Sequence, residues 1–522
     1  MPRLAPDRVD ALATALRRGR FTVDGVADRL GPVARAALDR GEPEPASRVL
    51  AASGPGDPAG DPAATLIRLF LLAEDVGAAA AAAALDPLPL DDAVDAGLVR
   101  RTGAGVVAAL DVRPHGDDQG GESAWWVLSD LEVAPGDTTS DAERSREHVL
   151  GTGAASMSLA RATVRRPVGT LLDLGTGSGV QVLHAAHHAR RVTATDVSAR
   201  ALSLAAAGLR LSGVEAELLE GPWWEPVAGR RFDQVVANPP FVPGPAQVEH
   251  VYRDSGLGGD GASAMLVSTL PGFLEPGGVG QLLASWIIPR GAEWSDRPRA
   301  WVAEATRAAA PGGLDAWVVQ RDVADPALHV GTWLRDAGVD PASPAGRERS
   351  ARWLDHLADA GAAGIGFGFV TLRRTAPGVA GTVVCEDLRQ AHDDPLGPEV
   401  AAWLDRVAWL AEVDAADAAG ADGLLAVRLR VPDTVALERG LVGTDEGWER
   451  VAGTLVRLDG PQWRHDVDAL GEALLGGCRG HLPLADLIDL LALAHDREPG
   501  ELARAALPVV RDLVLHGMLE PA

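Results

Sequence analysis

The sequence predicts an α/β protein: a seven-stranded, mostly parallel sheet with helices on both faces, an α+β domain before it and a mostly helical C-terminal region after it. Three observations carry that expectation. Between about residues 147 and 375, short apolar and β-branched runs alternate with helical patterns. One of these runs leads directly into alternating glycines, as strand-to-helix crossovers do. The chain of 522 residues exceeds one ordinary core, and its 47% hydrophobic content can fill two or three domains.

The candidate strands, in order, are Thr170–Leu174, Val192–Asp196, Glu215–Glu220, Phe232–Ala237, Val279–Ile288, Ala316–Arg321 and Ile365–Leu372. The last two are expected to form an antiparallel edge. They set a catalytic domain at residues 145–375. Ahead of it, residues 1–140 show helical periodicity from Asp7 to Leu85, broken at the Gly54–Pro58 cluster. A short helix after Leu88 then leads to two β-like runs, Gly105–Arg113 and Ser123–Leu128, joined by the polar turn His115–Gly121. Helix plus hairpin makes this a candidate winged helix, and Trp125-Trp126 is expected to pack it on the core. Behind the catalytic domain, residues 380–522 offer a helix at Pro398–Glu412, a strand at Leu424–Val431, and helices at Leu484–Ala494 and Glu501–Leu515. That tail reads either as a second winged-helix-like module or as a helical cap.

Charge and cysteine content narrow the partners. The chain has no lysine, so its 48 basic residues are all arginine, and its net charge is −25. Such a surface repels phosphate, which disfavours wholesale binding to naked nucleic acid and leaves only local arginine patches for it. Cys385 and Cys478 are the only cysteines. They lack metal spacing and suit a reducing cytoplasm. No apolar run is long enough to suggest a membrane span, and the N-terminus does not read as a secretory signal. His184, His187 and His188 include an i,i+4 pair, but no carboxylate or cysteine is spaced to complete a metal site, so a solvated helix face is expected.

The first chemical signal is Leu171-Leu172-Asp173-Leu174-Gly175-Thr176-Gly177-Ser178-Gly179. Glycines at this turn tolerate unusual dihedrals and let backbone approach a ligand. The spacing is GxGxG, whereas a dinucleotide fold uses GxGxxG to seat a pyrophosphate on the helix N-terminus. The methionine part of S-adenosyl-L-methionine brings an amino acid and a sulfonium instead, and Asp173 can offer a carboxylate near that cationic end. Asp196, followed by Val197, closes the next strand about 20 residues on, where a ribose diol expects its acceptor. A generic NAD-binding unit remains the competing reading. Gly221 and Trp223, after the third strand, stand where an adenine would lie, with Trp223 either stacking on it or packing as core.

The second signal is Asn238-Pro239-Pro240-Phe241 at the end of the fourth strand, where Asn238 is the sole asparagine of the chain. An Asn-Pro step can simply begin a turn. Chemistry gives it a sharper role. An amide or exocyclic amino nitrogen has a delocalised lone pair and must be aimed at its electrophile. Asn238 Oδ1 and the Pro239 carbonyl can accept its two N–H bonds, the prolines stiffen that pair, and Phe241 can stack on the planar group.

Residues Asp173 to Gly179 with Asn238 to Phe241 resemble the class I N-methyltransferases that share an NPPF/Y loop. Within these the core looks most like the release-factor glutamine methyltransferases and related rRNA and DNA N-methyltransferases. The likeness extends to Leu219–Trp223, Phe232-Asp233, Val242-Pro243, Gly258–Gly261 and a helix ending in Leu274–Gly278. It covers roughly residues 145–290. The resemblance implies a Rossmann-like methyltransferase sheet of seven strands, S-adenosyl-L-methionine as cofactor, no metal, and transfer to a planar nitrogen. Pro222 departs from the pattern, since that family usually carries an acid there. Protein glutamine, on a translation factor, stands slightly ahead on the acidic surface; candidate winged helices lean towards structured RNA or DNA. A catalytically silent methyltransferase-fold binding module is the alternative of another class. Tyr252, the sole tyrosine, could line the substrate entrance or pack in a turn. The stretch His148–Ser156 is a candidate to close over the cofactor.

Overall fold

The computed structural model describes residues 4–52, 61–116, 125–131, 148–246, 256–336, 339–392, 395–416 and 423–522. It divides into two compact units, one of residues 1–160 with 165–385 and one of residues 161–164 with 386–522.

The first unit begins with helices α1 (Pro6–Arg18), α2 (Val23–Asp39), α3 (Glu44–Ala52), α4 (Pro62–Leu66), α5 (Ala78–Leu85) and α6 (Leu90–Asp95). Two antiparallel ribbons follow, β1 (Val99–Arg101) with β2 (Val106–Ala108), and β3 (Asp111–His115) with β4 (Trp125–Ser129). The run read from sequence as one strand at 105–113 is therefore two, belonging to different ribbons. Strand β4 is buried along its whole length, and its alternation divides two cores. Trp126 and Leu128 join the apolar cluster of the N-terminal helices, while Trp125 and Val127 join the cluster beneath the sheet with Leu171 and Val180. Trp126 is fully buried, donates from Nε1 to the Phe21 carbonyl (2.6 Å), and has the Arg17 guanidinium 5.5 Å over its ring. Strand β4 thus packs the N-terminal region against the sheet, with one core on each of its faces, as the paired tryptophans led us to expect.

The sheet is entered through α7 (Ala154–Ala162). Its elements are β5 (Val168–Leu174), α8 (Val180–Ala185), β6 (Ala189–Asp196), α9 (Ala199–Leu211), β7 (Glu217–Glu220), β8 (Phe232–Ala237), α10 (Gly261–Thr269), β9 (Leu274–Pro289), α11 (Asp296–Ala308), β10 (Gly312–Ala324), α12 (Pro326–Asp336), α13 (Pro344–Asp359), β11 (Ala362–Pro377) and β12 (Val383–Asp387). All seven expected strands are present. The order is β12-β10-β11-β9-β8-β5-β6-β7. Strands β7, β6, β5, β8 and β9 run parallel, and β11 lies antiparallel between β9 and β10. An eighth strand, β12, was not anticipated, and it takes the edge position that sequence had assigned to the β10–β11 pair. Leu274–Gly278, expected to end a helix, instead opens β9. Because the chain proceeds from β5 to β6 on one side and places β8 on the other, the strand order switches at β5, and ligands of open α/β sheets bind at the carboxyl ends of strands beside such a switch.

The second unit contains α14 (Gly397–Ala416), β13 (Arg428–Arg430), β14 (Val435–Thr444), β15 (Gly447–Arg457), β16 (Arg464–Asp466), α15 (Ala469–Gly477), β17 (Arg479–Pro483), α16 (Leu484–Ala494), α17 (Pro499–Leu515) and β18 (Glu520–Pro521). The helices expected in the tail are α16 and α17. The hairpin of β14 and β15 carries no counterpart in the sequence reading, since most of its residues face solvent and show no buried alternation. A buried carboxylate, Glu399, centres this unit and is paired with Arg406 and with Arg457 at 2.6 Å.

Candidate functional site

The carboxyl ends of β5, β6 and β8 surround a cavity of about 380 Å³, a size suited to a small-molecule ligand. Its floor is the glycine turn. Gly175, Gly177 and Gly179 have φ of 77°, 55° and 86°, a left-handed conformation that β-carbons oppose, so the alternating glycines are a backbone requirement here. The backbone N–H groups of Gly175 and Thr176 donate to the Thr195 carbonyl at 3.0 and 2.8 Å, which locks the turn to β6.

Asp196 completes that lock. Its Oδ2 accepts from Gly177 N and its Oδ1 from Ser198 N, each at 2.9 Å. Burial raises its carboxyl from the ordinary value, opposed by the backbone N–H groups of Ser198, Gly177 and Val197. An ionised carboxylate has about four acceptor positions, so after these two bonds it retains capacity for a diol on the cavity side. Opposite stands Gly221, with φ 150° and an N–H donated to the Asp196 carbonyl at 3.0 Å. A β-carbon there would lie 2.7 Å from Pro226, so glycine is required. Trp223, itself left-handed at φ 47°, lines the cavity and also packs at the edge of the sheet's apolar cluster.

Asp173 is placed differently from expectation. It is fully buried beneath the floor and does not line the cavity. Among the described residues neither carboxylate oxygen has a hydrogen-bond partner. Burial pushes its carboxyl up to about 7; Thr176 nearby acts against that and the Asp196 charge adds to it. Gly179 is also off the cavity wall, where it caps α8 and approaches Ala205.

Asn238, Pro239 and Pro240 form the wall beside the glycine turn. Asn238 Nδ2 donates to Ser156 Oγ at 3.0 Å, leaving Oδ1 as the acceptor end of the amide. Phe241 does not reach the cavity. Its ring is buried against Phe367 of β11, with centroids 5.3 Å apart, and its carbonyl accepts from the Ser285 hydroxyl. The stacking role expected for it is thus taken up by core packing, which anchors the loop. Two residues on, the Pro243 carbonyl accepts from His329 Nε2 at 3.0 Å, and Trp333 Nε1 donates to His329 Nδ1 at 3.2 Å, fixing the tautomer. Asp260 supports the same wall, accepting from Ile287 N at 2.9 Å and pairing with Arg297.

His148, Val149, Leu150, Gly151 and Ser156 line the cavity, in line with the stretch singled out from sequence. Thr195, Ser198 and Gln181 were missed; Thr195 lies at the end of β6 just before Asp196, Ser198 caps α9 and Gln181 lies in the first turn of α8, positions that pattern reading leaves anonymous. The histidines correct an expectation: His184 and His188 are buried, and only His187 is exposed. His184 is held by His115 (2.9 Å) and Arg165 (3.1 Å), and His188 by Gln234 (3.0 Å). Among the described residues no group of His, Cys, Asp or Glu could hold a metal, and no helix is long and apolar enough to cross a membrane. Tyr252 and its neighbours Val251–Asp254, like the Gly54–Pro58 cluster and most of the His115–Gly121 turn, lie outside the described residues.

Residues 152–254, which hold the glycine turn, Asp196 and the Asn238 loop, match the family described as Methyltransferase small domain. This segment is similar to methyltransferase small domains. Residues 18–109 and 401–521 match two further families, each described as a domain of unknown function (DUF7059 and DUF7782). The methyltransferase segment is 39% identical over 123 residues to the release factor glutamine methyltransferase of Moorella thermoacetica, covering 21% of this chain and 44% of that protein. It is 31% identical over 128 residues to the ribosomal RNA small subunit methyltransferase C of Alcanivorax borkumensis, covering 24% and 35%. The chain thus spans less than half the length of these relatives. Similar solved structures include a methyltransferase from Pyrococcus furiosus (TM-score 0.25, 19% identity, 36% of this chain and 81% of that one). Another is the T. thermophilus 16S rRNA N2 G1207 methyltransferase in complex with AdoMet and guanosine (TM-score 0.26, 17% identity, 44% and 57%).

The residues present suit S-adenosyl-L-methionine. Asp196 would offer a carboxylate to a ribose diol, Gly221 and Trp223 line the part of the cavity where an adenine would lie, and the glycine floor would allow close backbone approach. The orphaned carboxyl of Asp173, raised by burial to about 7, would be favoured in its ionised form by a cationic ligand above that floor.

Proposed function

We propose that the protein transfers a methyl group from S-adenosyl-L-methionine to a planar amide or amino nitrogen. The observation that carries this reading is the placement of Asn238 on the cavity wall, with Nδ2 engaged by Ser156 and Oδ1 left as an acceptor beside the glycine floor. When bound, S-adenosyl-L-methionine supplies an electrophilic methyl group. The chain's part is to hold and aim the nucleophile. Asn238 Oδ1 and the Pro239 carbonyl accept the two N–H bonds of the incoming group, so its lone pair points along the line of attack. Pro239 and Pro240 keep those acceptors from swinging, and Phe241 ties the loop to the core.

The first reading of the acceptor is the side-chain amide of a protein glutamine, on a translation factor. The acidic surface and the release-factor names of several relatives support it. The second is the exocyclic amine of a nucleic-acid base, supported by the relative named for ribosomal RNA. The low cysteine content supports a cytoplasmic setting for this activity. Incubation with methyl-labelled S-adenosyl-L-methionine and a bacterial extract, followed by protease or nuclease, separates the two. Label released by protease and retained through nuclease is the expected result. Release by nuclease alone transfers the assignment to a base, and failure to bind the cofactor in calorimetry leaves only a binding module.

A further inference from the structure

Among the described residues the Asn238 side chain has one hydrogen bond, to a side chain outside its own loop that also lines the cavity. Ser156 lies in the first turn of α7 and, like Asn238, lines the cavity. Its Oγ accepts from Asn238 Nδ2 at 3.0 Å, while its backbone carbonyl accepts from Gln181 Nε2 at 2.7 Å. Gln181 is buried in α8, the helix that Gly179 opens. The path Gln181, Ser156, Asn238 therefore joins the helix over the glycine turn to the amide on the opposite wall.

We propose that Ser156 is a positioning residue that fixes which end of the Asn238 amide is presented to the methyl acceptor; this rests on the function proposed above. A primary amide is nearly symmetric in shape, and a half-turn about its last bond exchanges Oδ1 with Nδ2. The two orientations are chemically opposite. Oδ1 accepts the N–H of an incoming amide or amine, whereas Nδ2 sets donor against donor. With Ser156 Oγ taking one Nδ2–H, the oxygen-inward orientation leaves Oδ1 open to the acceptor's N–H. Without the hydroxyl, no other hydrogen bond to the Asn238 side chain is present among the described residues, and the amide loses its bias.

The chain offers a direct spectroscopic handle, because Asn238 is its sole asparagine. Full-length protein carrying 15N in the asparagine side chain gives a single amide pair. In the parent the Nδ2 proton bonded to Ser156 should be shifted from its free-amide position and slow to exchange with solvent. In Ser156→Ala it should move to the free-amide position and exchange faster, and Ser156→Thr, which keeps the hydroxyl, should restore the parent pattern. The same three proteins are assayed with methyl-labelled S-adenosyl-L-methionine on two acceptors, a purified bacterial peptide-release factor and 16S rRNA. Loss of one net hydrogen bond predicts a fall in kcat of about tenfold in Ser156→Ala, with KM for the cofactor changed less, and recovery in Ser156→Thr. An unchanged amide pair in Ser156→Ala, or a kcat equal to the parent's, overturns the proposal. If the parent methylates neither acceptor, the amide spectra alone decide the role of Ser156 and the proposed function is what fails.

Discussion

Replacing Asp173 by asparagine tests whether a carboxylate is held at energetic cost under the cofactor floor. Burial pushes this carboxyl up to about 7 from an ordinary 3.8, and neither oxygen finds a hydrogen-bond donor among the described residues. The sign follows from linkage. A carboxyl with a raised folded-state pKa binds a proton in the folded protein that the unfolded chain has already released. Its contribution to stability is therefore largest below about 4 and is lost as pH rises through about 7. Between pH 5 and pH 7 the slope is ~1.4 kcal/mol per pH unit, or ~3 kcal/mol over the interval. Asp173→Asn removes the titration, and whatever the amide costs in that site is the same at both ends. The measurement is urea unfolding of the ligand-free protein and the variant at pH 5 and pH 8. Hydrogen exchange of the 168–174 segment identifies the transition of the unit that carries β5. The variant should gain ~3 kcal/mol relative to the parent on going to pH 8. A difference that is the same at both pH values within ~0.5 kcal/mol refutes the reasoning, because Asp173 would then already be ionised at pH 5 with a partner to hold it.

Two further substitutions probe the scaffold of the site. Asp196→Ala removes the acceptor of Gly177 N and Ser198 N together with the carboxylate facing the cavity; calorimetric affinity for S-adenosyl-L-methionine should drop by ~10- to 100-fold, and unaltered affinity would dissociate Asp196 from cofactor binding. Trp126→Ala empties a fully buried site and leaves the Phe21 carbonyl without its donor; chemical denaturation should report a loss of ~3–5 kcal/mol, and a loss under ~1 kcal/mol would mean that the N-terminal helices do not depend on β4.

What sequence could reveal depended on how strongly local chemistry constrains it. Strand β8 was read to the residue, because its Val235-Val236-Ala237 end is a buried apolar run and Asn238-Pro239 cannot extend it. The glycine turn was legible because three left-handed positions admit little else. The hairpin β14–β15 was not, since solvent lies on most of its surface and no buried face imprints a period of two. His184 and His188 misled for the opposite reason: their spacing resembles an exposed helix face, but β3 supplies His115 from 69 residues earlier in the chain to cover His184. Phe241 carries no local sign that Phe367, on a strand far along the chain, would claim its ring. Ser156 belongs to the stretch singled out from sequence, but its contact with Asn238 was not legible there. A serine in a helix's first turn is ordinary by pattern, and only the tertiary approach of Asn238 gives it a role.

The most direct test of the account compares cofactor binding with methyl transfer in Asn238→Ala. Calorimetry should give a dissociation constant for S-adenosyl-L-methionine within about threefold of the parent, while turnover on the acceptor identified by label transfer falls by at least ~100-fold. Turnover equal to the parent's would contradict the claim that this side chain aims the nucleophile.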